Sequence, residues 1–228
     1  MLSCGITGAS GVLGKRLKVY LPYNFKVFDN DIRKFNEVNK WIDKNNLDII
    51  LHLAAIVPTK KVKNNYNEAF NVNVKGTLNL INAILKKRKK PNWFFYASTS
   101  HVYKLNYKMK LSKENETLKP QSLYGNTKKK AEEIILKKLK DTSIKVCIGR
   151  IFSFTDRKQG SDFVIPSIVK KIKLSKNKKI EFKNLNHYRD FLSTKVIAKY
   201  IHNLEKNKCQ GVFNIGSGKA FNLKQIAS

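Results

Sequence analysis

Short apolar runs alternate with amphipathic stretches along almost the whole chain. Residues 2–6, 26–28, 48–53, 93–98, 145–151, 179–182 and 212–215 read as strands. Between them, apolar residues recur at helical spacing over 12–21, 35–44, 68–87, 124–139, 164–173, 194–205 and 223–227. Asp48-Ile49-Ile50-Leu51-His52-Leu53 and Trp93-Phe94-Phe95-Tyr96 are nearly continuous in apolar character. That is the mark of strands covered on both faces, as in a parallel sheet. Strand and helix in alternation predict right-handed crossovers and an α/β, doubly wound sheet. The alternation loosens near residue 152. Residues 1–151 therefore read as one regular domain, and 152–228 as a smaller lobe over the carboxyl edge of the sheet, with returning strand and helix elements.

Composition narrows the class. Of 228 residues, 42% are hydrophobic and 11% aromatic, enough for a real core, so global disorder is excluded. No apolar run reaches the ~20 residues of a membrane span, and the first residues carry neither a basic stretch nor a long apolar one that would mark a secretory signal. Cys4, Cys147 and Cys209 are odd in number and lack metal-ligand spacing, so they read as buried thiols. A cytoplasmic protein without a metal site or a membrane partner is expected. The formal charge is +30. Only Arg16, Arg33, Arg88, Arg150, Arg157 and Arg189 are arginines; the other basic residues are lysines, gathered near the ends and outer faces of the predicted helices. Nucleic-acid readers use arginine forks and stacked aromatics, so a solvated lysine surface is the better reading and no nucleic-acid partner is expected. Such a field still favours a phosphate-bearing ligand.

Thr7-Gly8-Ala9-Ser10-Gly11-Val12-Leu13-Gly14 follows the first strand and opens the first helix. Glycines in this context let backbone N–H groups approach a pyrophosphate at a helix N-terminus, where a Cβ would collide. This points to dinucleotide binding. Tyr124 and Lys128 are four residues apart on a predicted helix, so phenol and ammonium share one face. A phenol with a pKa near ~10 needs a neighbouring cation to act as a proton carrier at neutral pH. With nine tyrosines in so lysine-rich a chain, this spacing arises by chance more than once. The context adds weight: Ala97-Ser98-Thr99-Ser100 ends a strand in hydroxyls, and ligands of open α/β sheets sit at the carboxyl ends of strands.

With these segments, Asp31-Ile32, His52-Leu53-Ala54-Ala55, Asn73-Val74-Lys75-Gly76-Thr77, His101-Val102-Tyr103, Arg189-Asp190-Phe191 and Asn214-Ile215-Gly216-Ser217-Gly218 follow in order. Together they resemble the extended short-chain dehydrogenase/reductase family of NAD-dependent epimerases and dehydratases, which act on nucleotide sugars. The resemblance implies a Rossmann-type fold and an NAD cofactor, with NADP as the alternative. It places Gly8, Ala9, Ser10, Gly11, Val12, Leu13 and Gly14 at the pyrophosphate and Asp31 and Ile32 along the adenine. Leu53, Ala54 and Ala55 fall at the ribose and nicotinamide side, with Asn73 behind them. Thr99 takes the catalytic Ser/Thr position, Tyr124 that of the acid/base, and Lys128 that of the residue that holds the ribose and lowers the tyrosine pKa. Arg189 matches a position that meets a nucleotide diphosphate, where an arginine fork is the natural partner. The helices over 68–87 and 124–139 correspond to those through which relatives pair as homodimers.

The departures from the family pattern matter as much. Where 4,6-dehydratases carry acidic residues after the catalytic threonine, this chain has Ser100 and His101. His101 is then expected to titrate near neutrality and to serve as a second acid/base, with Ser100 beside the substrate. Ser153 replaces an asparagine that commonly meets substrate phosphate. Asp29 would favour NAD by accepting from a ribose 2′-hydroxyl, whereas Arg33 could tolerate a 2′-phosphate. Relatives continue for several elements beyond the position of Ser228, so part of the substrate lobe is expected to be missing. The reading favoured is an oxidoreductase acting at C4 of a nucleotide-diphosphate sugar, either a 4-epimerase or a 4-keto reductase. A 4,6-dehydratase and a non-enzymatic NAD(P)-binding protein are the alternatives.

Overall fold

A computed structural model describes residues 1–57, 59–104, 111–175, 180–182, 185 and 187–227. Its elements are β1 (Ser3–Thr7), α1 (Val12–Tyr20), β2 (Asn24–Phe28), α2 (Phe35–Lys44), β3 (Ile49–His52), α3 (Thr59–Asn64), α4 (Tyr66–Phe70), a π turn (Asn71–Lys75), α5 (Gly76–Lys86), β4 (Trp93–Thr99), a 3₁₀ turn (Ser100–Val102), α6 (Leu123–Leu139), β5 (Lys145–Ile151), β6 (Ser153–Thr155), α7 (Val164–Leu174), β7 (Tyr188–Arg189), β8 (Phe191–Ser193), α8 (Thr194–Lys206), β9 (Gly211–Ile215), β10 (Phe221–Asn222) and α9 (Leu223–Ala227).

Six strands form one parallel sheet in the order β2-β1-β3-β4-β5-β9. Successive side chains of a strand point to opposite faces, and the core divides accordingly. Ile50, Phe94, Tyr96 and Ile148 pack beneath Ile42 of α2, Leu80 and Ile84 of α5 and Ile135 of α6. Ile49, Leu51, Trp93, Phe95 and Cys147 pack on the other side against Leu17 of α1 and Ile197 and Ile201 of α8. Trp93, Phe94, Phe95 and Tyr96 are all essentially inaccessible; burial of each such side chain contributes roughly 1.5–3 kcal/mol. The apolar run over 93–96 thus serves both layers at once.

The chain passes from β1 to β2 on one side and returns to β3 on the other. That reversal opens a crevice over the carboxyl ends of β1 and β3. Helix α1 stops at Tyr20 because Leu21 precedes Pro22 and takes extended backbone, φ −100° and ψ 137°. Three features differ from the sequence pattern. The helix expected over 68–87 is a longer helical run with a π turn at Asn71–Lys75, and α3 precedes it. The strand expected over 179–182 is not formed: Lys179 lies outside the described residues, and 180–182 have no regular structure. In its place the second lobe is stitched by two-stranded pairs, β6 with β8 and β7 with β10. Short pairs of this kind have too few residues to display a period. No helix among the described residues is long and apolar enough to cross a membrane.

Candidate active site

The crevice begins at the glycine turn. Gly8 has φ +71°, and a Cβ there would lie 2.6 Å from the Ala54 nitrogen and 2.7 Å from the Leu53 carbonyl carbon. A Cβ on Gly14 would lie 2.4 Å from the Gly8 oxygen. These two glycines let the turn close on itself and on the 53–55 loop. Gly11 differs: its Cβ would meet only the Gly8 oxygen, at 3.4 Å, an ordinary contact. Beyond its chain neighbours, no other described atom lies within 4 Å of that position. Gly11 is also the N-cap of α1 and offers no side-chain cap, and the first turn holds no acid. Helices α2 and α7 share the lack of a side-chain cap, whereas α4, α6 and α8 are capped by Asn65, Ser122 and Ser193. The first N–H groups of α1 stay open to an anion.

Around this turn Ala9 is buried, Ser10 is exposed, and Val12 and Leu13 are half-buried. Asp29 is exposed immediately after β2, whose last residue, Phe28, pairs with Thr7. Asp31 accepts a two-pronged bond from Arg33, at 2.9 and 2.7 Å, and that guanidinium holds its carboxyl below the usual range. Ile32 is buried against Gly76. Leu53, Ala54 and Ala55 line the opposite wall, half-buried. Asn73 is inside the protein: its amide donates to the Ile56 carbonyl and Thr127 and accepts from the Ile56 N–H. It ties the segment after β3 to α6.

Thr99 closes β4, and Tyr124 and Lys128 lie one turn apart on α6, all three buried. Burial raises the Tyr124 phenol above its ordinary value, and the Thr99 hydroxyl acts in the opposite sense. Burial lowers Lys128 to about 7, with Glu132 one turn further on opposing it. The Lys128 ammonium sits 4.1 Å from the Tyr96 ring centroid, a cation–π contact. The His101 ring meets Tyr124 edge-on, centroids 5.7 Å apart. Burial, aided by Arg189, lowers His101 to about 4. The histidine therefore stays neutral at physiological pH, rather than titrating there as its type alone suggested.

Beside this group opens a cavity of about 740 Å³ whose wall includes Ser100, His101, Ser153 and Arg189. All four substrate-side expectations thus come together, joined by Lys104, Lys113 and Lys219. The Arg189 guanidinium makes no hydrogen bond to another described residue, and burial lowers its pKa. Beneath the cavity runs a network the sequence reading missed. Arg150 pairs with Glu132 at 2.8 Å, both nearly inaccessible. Ser98 also donates to Glu132. Arg150 further donates to the Tyr103 hydroxyl and the Glu114 carbonyl, both at 2.9 Å, and Tyr103 donates to Asn214 at 2.7 Å. On the far rim Asp190 accepts from the Ser217 and Gly218 N–H groups, each at 2.9 Å. Glu132 carried one signal in the sequence: it continues the face of Tyr124 and Lys128 by another four residues.

A family model described as GDP-mannose 4,6 dehydratase matches residues 7–228. The chain belongs to the extended short-chain dehydrogenase/reductase family of NAD-dependent epimerases and dehydratases. GDP-6-deoxy-D-talose 4-dehydrogenase of Aggregatibacter actinomycetemcomitans is a relative, 31% identical over 91% of this chain and 74% of its own length. GDP-6-deoxy-D-mannose reductase of Pseudomonas aeruginosa is 26% identical over 97% of this chain and 76% of its own. The structure of RMD from Pseudomonas aeruginosa, complexed with NADPH, superposes with a TM-score of 0.89 at 24% identity, covering all of this chain and 80% of that one. Members of this epimerase/dehydratase family are NAD(P)-dependent enzymes that modify nucleotide sugars, among them 4-reductases, 4-dehydrogenases, epimerases and 4,6-dehydratases. In this family member the glycine turn follows β1, and Thr99 at the end of β4 meets Tyr124 on α6, one turn from Lys128, with the cavity beside them.

Proposed function

We propose that this chain is an NAD(P)-dependent oxidoreductase that interconverts a hydroxyl and a ketone at C4 of a nucleotide-diphosphate hexose, working as a 4-keto reductase or its reverse. The observation that carries this reading is the meeting of Thr99, Tyr124 and Lys128 at the carboxyl end of β4 with, among the described residues, no free carboxylate beside them. The carboxylates nearest the cavity are engaged: Glu114 accepts from the Asn214 N–H, Asp190 holds the 217–218 turn, and Glu132 is paired with Arg150. Elimination of water needs a carboxylate next to the ketone, so the dehydratase reading is disfavoured. The intact trio speaks against a binding-only protein. The GDP-6-deoxyhexose relatives make GDP-4-keto-6-deoxyhexoses the first substrates to test.

The residues present fit a dinucleotide: the uncapped α1 and the open side of Gly11 suit its pyrophosphate. Asp29 suits a free ribose 2′-hydroxyl, and the Arg33 fork that would welcome a 2′-phosphate is engaged by Asp31, which favours NAD over NADP. When bound, the nicotinamide supplies or receives the hydride at C4. Thr99 positions the C4 oxygen by a hydrogen bond. Tyr124 gives that oxygen its proton in reduction and takes it back in oxidation. Lys128 stabilises the phenolate between these events, and one unit of phenol pKa lowered is worth ~1.4 kcal/mol. Burial of Tyr124 and Lys128 keeps bulk water from competing for the proton.

Replacement of the phenol tests this directly. Tyr124→Phe lowers kcat by ~10²–10⁴ while cofactor affinity changes little. Near-wild-type turnover of Tyr124→Phe on an accepted nucleotide sugar would refute the assignment. A 4-epimerase differs in recycling its cofactor, so stoichiometric oxidation of NADH by a 4-keto sugar distinguishes the two C4 activities.

A further inference from the structure

The geometry points to His52 as a positioning residue, the centre of a one-directional hydrogen-bond chain that locks the cofactor turn to the backbone of Tyr124. The inference rests on the reading of Tyr124 as the proton carrier. The chain can be followed proton by proton. The Ala54 N–H donates to Thr7 Oγ1 at 3.3 Å, and Thr7 Oγ1 lies 2.7 Å from His52 Nδ1. On the other side of the ring, His52 Nε2 lies 2.8 Å from Thr77 Oγ1, which donates to the Asn73 carbonyl at 2.7 Å. The Asn73 amide donates to Thr127 Oγ1 at 3.0 Å, and Thr127 donates to the Tyr124 carbonyl at 2.8 Å. Thr7, His52, Thr77 and Thr127 are 0% exposed and Asn73 1%.

Counting hydrogens fixes the direction. A hydroxyl has one hydrogen, and Thr77 gives its own to a carbonyl, so it can only accept from His52. Nε2 therefore carries the ring proton, Nδ1 is bare, and Thr7 must donate to it. Every hydrogen bond points forward, from the 53–55 loop to the helix of the tyrosine, in two segments that Asn73 joins through its own covalent frame: its backbone carbonyl ends the first and its side-chain amide begins the second. Directionally consistent chains polarise one another, and a buried link broken in the middle leaves two groups unsatisfied. Thr7 immediately precedes Gly8, and Thr127 lies between Tyr124 and Lys128. The π turn at Asn71–Lys75 is what places the Asn73 side chain between Ile56 and Thr127 while its carbonyl faces Thr77.

Two measurements decide it. The first is ¹⁵N NMR of the histidine rings in the wild-type protein without cofactor. The expected result is a His52 ring in the Nε2–H form, with a slowly exchanging proton; an Nδ1–H ring overturns the proposed direction. The second is a double-mutant cycle with the near-isosteric Thr7→Val and Thr127→Val. NADH affinity is read by fluorescence titration and kcat is read separately. If the chain couples the two ends, Thr127→Val weakens NADH binding roughly 5–10-fold and Thr7→Val lowers kcat by a similar factor. The double variant is then no worse than about the poorer single one. Independent structural roles predict factors that multiply, and unchanged NADH affinity in Thr127→Val likewise overturns the proposal. Retained turnover in Tyr124→Phe would instead overturn the catalytic reading and leave the NMR and NADH-binding results standing.

Discussion

In the proposed function the site has a cofactor half and a substrate half, and the two are built by opposite means. The cofactor half is backbone: residues 8–14 and 53–55, two short contiguous loops pressed together, with helix N–H groups as the recognition surface. The substrate half is side chains gathered from at least five places, among them Ser100 and His101, Glu114, Ser153, Arg189 and Asn214. A backbone site depends on the absence of side chains, both those that would fill it and acids that would oppose an anion at the helix N-terminus. A side-chain site depends on a supporting network, here Glu132, Arg150 and Tyr103, that keeps buried charges paired. The first should fail by steric blockage with the fold intact, the second by loss of the network and of stability together.

The largest expected effect breaks the first half. Gly11→Val places a branched side chain where a Cβ meets only the Gly8 oxygen, at 3.4 Å; the proposed function puts the pyrophosphate in that space, so cofactor binding is expected to be abolished. The backbone of Gly11, φ −67° and ψ 163°, accepts any residue, so the melting temperature should stay near that of the wild type. Gly14→Val, in contrast, meets the Gly8 oxygen and the Ala9 Cα below 3 Å and should lose the fold. Fluorescence titration with NADH beside a thermal melt separates the cases; a folded Gly11→Val that still binds cofactor normally removes the glycine-turn assignment.

The same contrast explains what was legible from the residues alone. The glycine spacing reveals the turn because the constraint is local: strand, three glycines and helix lie within a dozen residues. The two-sided burial of 93–96 is equally readable, since a run without polar members has no solvent face. Thr99, Tyr124 and Lys128 are proposed on the family resemblance together with their placement, because in so lysine-rich a chain the Tyr–Lys spacing alone arises by chance. Glu132 and Arg150 escape because their pairing joins residues on α6 and β5 that no spacing rule relates. The strand expected at 179–182 and the missed pairs β6–β8 and β7–β10 have one cause: in the second lobe, two- and three-residue strands are held by tertiary contacts, not by periodic burial. The low pKa of His101 is similarly a product of enclosure by Tyr124 and Arg189, which the sequence does not encode locally.

A smaller effect tests the second half. Glu132→Leu strands the Arg150 guanidinium in the interior, which should cost about 3–5 kcal/mol of stability. The double replacement Glu132→Leu with Arg150→Met removes the uncompensated charge and should recover much of that loss. Substrate KM should nevertheless remain raised in the double variant, because Tyr103 and the Glu114 carbonyl lose their donor. Urea denaturation gives the stabilities and steady-state kinetics the KM. A Glu132→Leu protein as stable as wild type would show that the network is dispensable and that the substrate half stands on local contacts, like the other.

The smallest effect compares the halves through one histidine in each. Burial lowers His52 on the cofactor side to about 3, and His101 on the substrate side to about 4. In the unfolded chain both take the ordinary value near ~6.5. Between pH 6.5 and 4 the unfolded state therefore binds two protons that the native state refuses, so stability must fall as pH falls. Each proton contributes a slope of up to about 1.4 kcal/mol per pH unit, or about 2.7 for both. Other shifted groups act outside this window. Lys128 differs between the states only above about 7, and the lowered carboxyls of Asp31 and Asp156 only below their ordinary value of 3.8. Urea denaturation of the wild type at fixed ionic strength should show the two-proton slope, and His101→Asn should show about half of it. An unchanged slope in His101→Asn would mean that His101 is not enclosed in solution and that the substrate half is open where the cofactor half is sealed.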